Sequence, residues 1–155
     1  PFRALKPEAF AADFEINTMG MIRSLQGVLP KLLNSPQASI VAYSTVAVQQ
    51  GMPFHASVAA AKGALEGLVR SLAAEYAPKI RVNAIAPSLT NTPLAGKLLS
   101  SDEKIEKMSE RHPLKRVGTP EDIAQCTRFL LSDASSWMTG QIIGLDGGMG
   151  ALKLN

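Results

Sequence analysis

The sequence is poor in the residues from which metal centres, disulfides and membrane spans are built. It holds one cysteine, Cys126, and two histidines in 155 residues. A single cysteine cannot close an internal disulfide. Its place in a helical apolar pattern predicts a buried structural thiol and a reducing, cytoplasmic setting. One cysteine and two separated histidines cannot assemble a zinc-type site, so no metal is expected. No uninterrupted apolar run approaches the roughly 18 residues of a membrane span, and no basic-then-apolar segment is present, so no membrane partner is expected. A glycine-rich dinucleotide loop is missing as well. Gly147, Gly148 and Gly150 follow the last apolar run and do not open a helix.

What is present is an ordinary globular balance, 46% apolar and 19% charged, on a length that suits one domain with a sizeable core. The net charge of +3 is spread thinly. The densest basic region, 104–116, lies among Glu103, Glu106 and Glu110, which marks a solvated helix face and not a phosphate track. Nucleic acid is therefore not an expected partner. The chain opens on Pro1-Phe2 in mid-pattern and reads as a piece of a longer polypeptide, with its 155 residues forming one domain portion.

Periodicity places the elements. Pro7 and Glu8 suit a helix start, and helical apolar spacing then runs through Phe10, Phe14, Met21, Leu25, Val28 and Leu32 until Asn34-Ser35-Pro36 breaks it. Asn17 interrupts that run. Residues 39–43 read as a strand, near-continuously apolar as in a parallel sheet covered on both faces. It ends in two hydroxyls, Ser44 and Thr45. A loop over 51–53 follows, and a helix over 58–76 stops before Pro78. Small residues at Ala60, Ala61, Gly63, Ala64 and Gly67 beside Leu65, Leu68 and Leu72 predict a helix buried on more than one side. A second strand over 80–86 runs into Pro87, Ser88, Leu89, Thr90, Asn91 and Thr92. Residues 93–110 read as a mobile helical segment. Thr119, Pro120, Glu121 and Asp122 form a strong helix start, and 141–145 supplies the last strand. Strands and helices that alternate in this way give an α/β fold with a doubly wound parallel sheet, whose ligands sit at the carboxyl edge.

Several of these segments together resemble the short-chain dehydrogenase/reductase family. The run from Arg116 to Gly148 matches its carboxy-terminal signature, G-x-P-E-D-I-A through T-G-Q to D-G-G. The segment 13–21 resembles its V-N-x-x-G motif, and 87–92 its Pro-Gly-x-x-x-Thr turn, with Ser88 in place of the glycine. Thr45 precedes position 58 by thirteen residues, and Lys62 follows it by four, the spacing of the family's Ser…Tyr-x-x-x-Lys. Here Thr45 stands for the serine, and Val58 stands for the tyrosine.

The resemblance covers the second half of such a domain, Rossmann-like in fold. It implies an NAD or NADP cofactor, a small carbonyl or alcohol substrate, and a homo-oligomer packed through the helix over 58–76. It implies catalytic roles for Asn17 (through a water beside the lysine), Ser44 or Thr45, and Lys62, and cofactor contacts from Lys62, Pro87, Thr90 and Thr92. A valine cannot donate a proton, so three neighbours are candidate replacements: His55, Tyr43 and Ser57. Tyr43 is the better fit to a buried core residue, and Ser57 to a helix cap. The alternative to an oxidoreductase with a displaced acid is a catalytically silent relative, serving as a cofactor-binding, regulatory or scaffold subunit.

Overall fold

The computed structural model describes residues 1–153. Three parallel strands lie in the order β1 (Ala38–Tyr43), β2 (Ile80–Pro87) and β3 (Ile142–Leu145). Ala38 pairs with Ile80 and Tyr43 with Ile85, while Ala84 pairs with Ile142 and Pro87 with Leu145. Around them run α1 (Pro7–Phe14), α2 (Gly20–Leu33), α3 (Val46–Gln50), α4 (Ala56–Tyr76), α5 (Asp102–Glu110) and α6 (Pro120–Leu131).

The two-residue period of the strands divides the sheet into two faces. Ala38, Ala42, Ile80, Val82 and Ala84 face α4, where Leu65, Val69 and Ala73 complete a dry core. The alternate positions face α6. Ser39 donates to the Leu130 carbonyl at 2.8 Å, and Tyr43 shares a hydrogen bond with Thr127 at 2.9 Å. Helices thus cover both faces, the doubly wound arrangement expected.

Two polar residues on β2 fix the connection into β3. Asn83, fully buried, donates to the Met138 carbonyl and accepts from the Gln141 N–H, both at 3.0 Å. Arg81 gathers the Leu130, Ser132 and Ser135 carbonyls at the end of α6, each at 3.0 Å. Gly140, at φ +71°, takes the left-handed turn between these anchors that glycine adopts at least cost. Helix α6 opens with the predicted cap. Thr119 accepts from the Asp122 N–H, and the Asp122 carboxylate accepts from the Thr119 N–H and from both arms of Arg116. That guanidinium, with the Thr119 bonds, holds the Asp122 carboxyl well below the usual carboxylate range.

Several expectations are corrected. Helix α4 starts two residues earlier than position 58, so Ser57 lies inside it and His55 takes the N-cap place. The helix buries Ala61, Leu65, Glu66, Val69 and Ala73 against the sheet and α1, whereas Ala60, Ala64 and Gly67, among the small residues expected to be buried, are exposed. Tyr43 is not a core residue. It is 44% exposed because β1, among the described residues, pairs only with β2 and its far side is thinly covered. Cys126 is half-buried, and that burial pushes its thiol up. Residues 46–50, for which the sequence pattern marks no element, form α3, capped by Thr45.

Replacing Asn83 with Ala removes the partner of the Met138 carbonyl and of the Gln141 N–H at a part-buried junction. We expect a loss of about 2–4 kcal/mol in urea unfolding, one desolvation penalty for each orphaned group.

Candidate functional site

The carboxyl ends of β1 and β2 open onto a cleft of about 520 Å³. From β1 come Ser44 and Thr45, from the turn after β2 come Pro87, Thr90 and Thr92, and from the head of α4 comes His55. A groove of about 300 Å³ on the other side of the β1 end holds Asn17 and Lys62 beside Tyr43. The predicted residues therefore fall into two adjoining hollows. They meet at the β1 terminus, where the Tyr43 carbonyl accepts from Lys62 Nζ at 2.7 Å and the next two residues face the larger cleft.

The two strand-end hydroxyls differ. Ser44 is buried and donates to Glu66 Oε1 at 2.6 Å, and Arg70 reaches the other oxygen of that carboxylate at 3.5 Å. Its proton is committed inward. Thr45 only accepts, from the Ala47 N–H at 3.3 Å, so its hydroxyl proton is left to donate into the cleft. Of the pair, Thr45 has the geometry to align a carbonyl.

Asn17 lies in a π-helical turn, Glu15–Met19, between α1 and α2. Its amide donates to the Asp13 carbonyl at 2.9 Å, which is part of how the helical ladder slips there. Thr18 ties this turn to the Ala61 carbonyl at 2.8 Å, directly before Lys62. The π turn keeps a polar amide in the lysine's groove. Burial lowers the Lys62 ammonium below the ordinary lysine value.

The turn after β2 is held by a parallel bridge between Thr90 and Gly118. Thr90 donates to the Ser88 carbonyl at 3.1 Å, and a Cβ at Gly118 would sit 3.2 Å from the Thr90 hydroxyl, a tight approach that would push the threonine aside by a few tenths of an ångström. Ser88 needs no glycine. It is absent from the described residues with positive φ, so the substitution carries no backbone strain. Thr92 starts a short 3-10 turn, Pro93–Ala95, with no side-chain capping bond. Thr92 lines the cleft, and its hydroxyl is not used in the cap.

Two features escaped the sequence reading. Ser88 bonds to Nε2 of His112 at 2.8 Å, and Nδ1 of that buried ring donates to the Met108 carbonyl at 2.9 Å. This pair ties the β2 turn to the end of α5. Ser44–Glu66 is the second. Neither has a sequence signal, because both join residues distant in the chain.

The donor set fits the nicotinamide half of a dinucleotide. Lys62 spends one of its three N–H groups on Tyr43, and Thr92 offers a hydroxyl at the cleft wall. The depressed ammonium has its own signature. In amine labelling followed by mass spectrometry, the Lys62 rate should reach half-saturation at a pH below the ordinary lysine value of about 10.4; a midpoint at or above that value contradicts the burial.

Comparison with known proteins places the chain. The sequence profile described as enoyl-(acyl carrier protein) reductase matches residues 1–150. The 3-oxoacyl-(acyl-carrier-protein) reductase of Thermotoga maritima is 39% identical over 94% of this chain and 58% of its own. An inactive 2-(S)-hydroxypropyl-CoM dehydrogenase of Xanthobacter autotrophicus is 36% identical over 94% of this chain and 65% of its own. A short-chain oxidoreductase of Pseudomonas aeruginosa, solved with NADPH and described as having an atypical catalytic centre, superposes with a TM-score of 0.91 at 28% identity, covering 98% of this chain and 61% of that one. The chain thus spans about three fifths of the length of these relatives, and it belongs to the short-chain dehydrogenase/reductase family.

Proposed function

We propose that the protein is an NAD(P)-linked oxidoreductase that interconverts a small carbonyl compound and its alcohol. The observation that carries this reading is the gathering of Thr45 and the Pro87–Thr92 turn in one cleft at the sheet edge, with half-buried Lys62 in the adjoining groove across the β1 terminus. Bound NAD(P)H would supply a hydride to the carbonyl carbon. Lys62 would hold the nicotinamide ribose through the N–H groups it does not spend on Tyr43, while Asn17 would order a water beside it. Pro87, Thr90 and Thr92 would seat the carboxamide, with Thr92 donating its hydroxyl. Thr45 would donate to the substrate oxygen and align it, while Ser44 acts from behind through Glu66. Titrating NADPH and NADH by fluorescence, then following absorbance with a panel of ketones and aldehydes, tests the reading. Binding without turnover of any of them overturns it.

A silent relative is the second reading, and one observation favours it. Val58 leaves the usual donor position without a proton, and the 36%-identical relative is described as inactive. Val58→Tyr separates the two. On an intact site with no other proton donor we expect a gain of reductase turnover of about 10² or more, the usual worth of a positioned acid. A variant that binds NADPH and reduces none of the panel supports the silent reading.

We further propose a homo-oligomer packed through the exposed small-residue face of α4. A side chain at Gly67 meets nothing within 4 Å in the subunit. Gly67→Arg should therefore leave the melting of the subunit fold intact and reduce the assembly to a smaller species in light scattering.

A further inference from the structure

With Val58 at the donor position, carbonyl reduction needs a proton from elsewhere, and the structure narrows the choice among the three neighbours. The Tyr43 hydroxyl is turned to Thr127 on the α6 side of the sheet. Ser57 is inside α4 and does not line the cleft. His55 does line it, with Thr45. We propose that His55 is the proton donor of this site, taking the part of the missing phenol; the inference rests on the oxidoreductase reading above.

The ring is prepared for the task. Its Nδ1 lies 2.7 Å from the Pro53 carbonyl, which can only accept, so Nδ1 carries the hydrogen and Nε2 is the position that gains and gives a proton. The anchor is local. Gly51, at φ +68°, and Phe54, at φ +67°, fold the 51–54 turn that brings the Pro53 carbonyl under the ring. His55 holds the N-cap place of α4, three residues before Val58 and seven before Lys62, so it enters the site from the same helix end that carries those two positions. From the other elements, Arg111 and His112 are the charged or titratable groups facing the same cleft, and Pro1 faces an adjoining hollow that His55 also lines. Both ring nitrogens of His112 are engaged with Ser88 and Met108, so it has no proton position open to the cleft. His55 is half-buried and exchanges with solvent.

In reduction, the carbonyl carbon takes up the hydride, and the π pair of the C=O bond moves onto oxygen. That oxygen forms an O–H bond with the proton on Nε2, the N–H bond breaks, and the imidazolium is left neutral. Water returns the proton. Thr45 donates to the same oxygen throughout and keeps its own proton. Alcohol oxidation runs these steps in reverse, with neutral His55 accepting.

The test uses the full protein, NADPH, and the ketone of the panel reduced fastest, with ethyl acetoacetate as the starting probe. His55→Gln and His55→Asn remove Nε2, and the asparagine retains an N–H for the Pro53 carbonyl. Each should keep NADPH binding and melting temperature and lose about 10²–10⁴ in kcat. Adding Val58→Tyr to His55→Gln should restore turnover. A readout without cofactor accompanies these: ethyl acetoacetate should move the His55 imidazole nitrogen resonances and leave those of buried His112 in place. Turnover within about twofold of wild type in both variants overturns the assignment and leaves the oxidoreductase reading standing. An unmoved His55 resonance at saturating probe overturns it as well. Wild type that binds NADPH and reduces no ketone removes the reading and the inference together.

Discussion

Burial of β2 on both faces and along both edges is the constraint on which this structure depends. A strand in that position can offer water none of its backbone, so every N–H and C=O must find a partner in β1, β3 or a side chain. Its sequence, IRVNAIAP, meets the demand in two ways. The apolar residues fill the α4 face, with Val82 and Ala84 wholly buried. Arg81 and Asn83 take the other parity, where the end of α6 and the 138–141 connection arrive with unpaired carbonyls and N–H groups. An arginine and an asparagine inside a strand look like flaws in an apolar pattern. They are the pieces that hold α6 and β3 in register.

That register decides what the sheet edge can present. Because β1 and β2 pair from Ala38–Ile80 to Tyr43–Ile85, the strand-end hydroxyls and the Pro87 turn leave the sheet at the same level. Helix α4 packs across β2, and from there the long Lys62 side chain reaches the Tyr43 carbonyl. The same close packing buries Glu66, a carboxylate that needs a donor, and Ser44 supplies one. Packing thus withdraws one hydroxyl from the cleft and leaves Thr45 as the one that serves it. The division of labour between adjacent residues comes from the helix behind them.

Much of this was legible beforehand, for physical reasons that differ between elements. The strands and α6 announce themselves through local signals: β-branched runs of the right length, and a cap whose Thr, Pro and acidic residues act within one turn. The π turn at Asn17 showed as an interruption in helical spacing. Short helix α3 was not seen, since five residues cannot display a period and its only mark is Thr45, already read as a site residue. Tyr43 misled because strand alternation says which face a residue takes and not whether anything covers that face. The cleft-lining role of His55 and the Ser88–His112 bond lie beyond any local reading. The contacts concerned join segments tens of residues apart, and only the folded chain brings them together.

The exchange of a phenol for Val58 also changes what Lys62 is for. A cation one helical turn from a phenol favours its ionised form and so tunes the proton donor. Beside valine there is no such group, and an apolar neighbour adds to the desolvation that already lowers the ammonium. Keeping a half-buried cation under those conditions is unfavourable unless something accepts its hydrogen bonds. The Tyr43 carbonyl takes one. A ligand with hydroxyl acceptors in the groove beside Asn17 would use the others. On the proposed reading the lysine serves ligand binding independently of the proton, and the two functions that one Tyr–Lys pair would combine are carried by separate side chains.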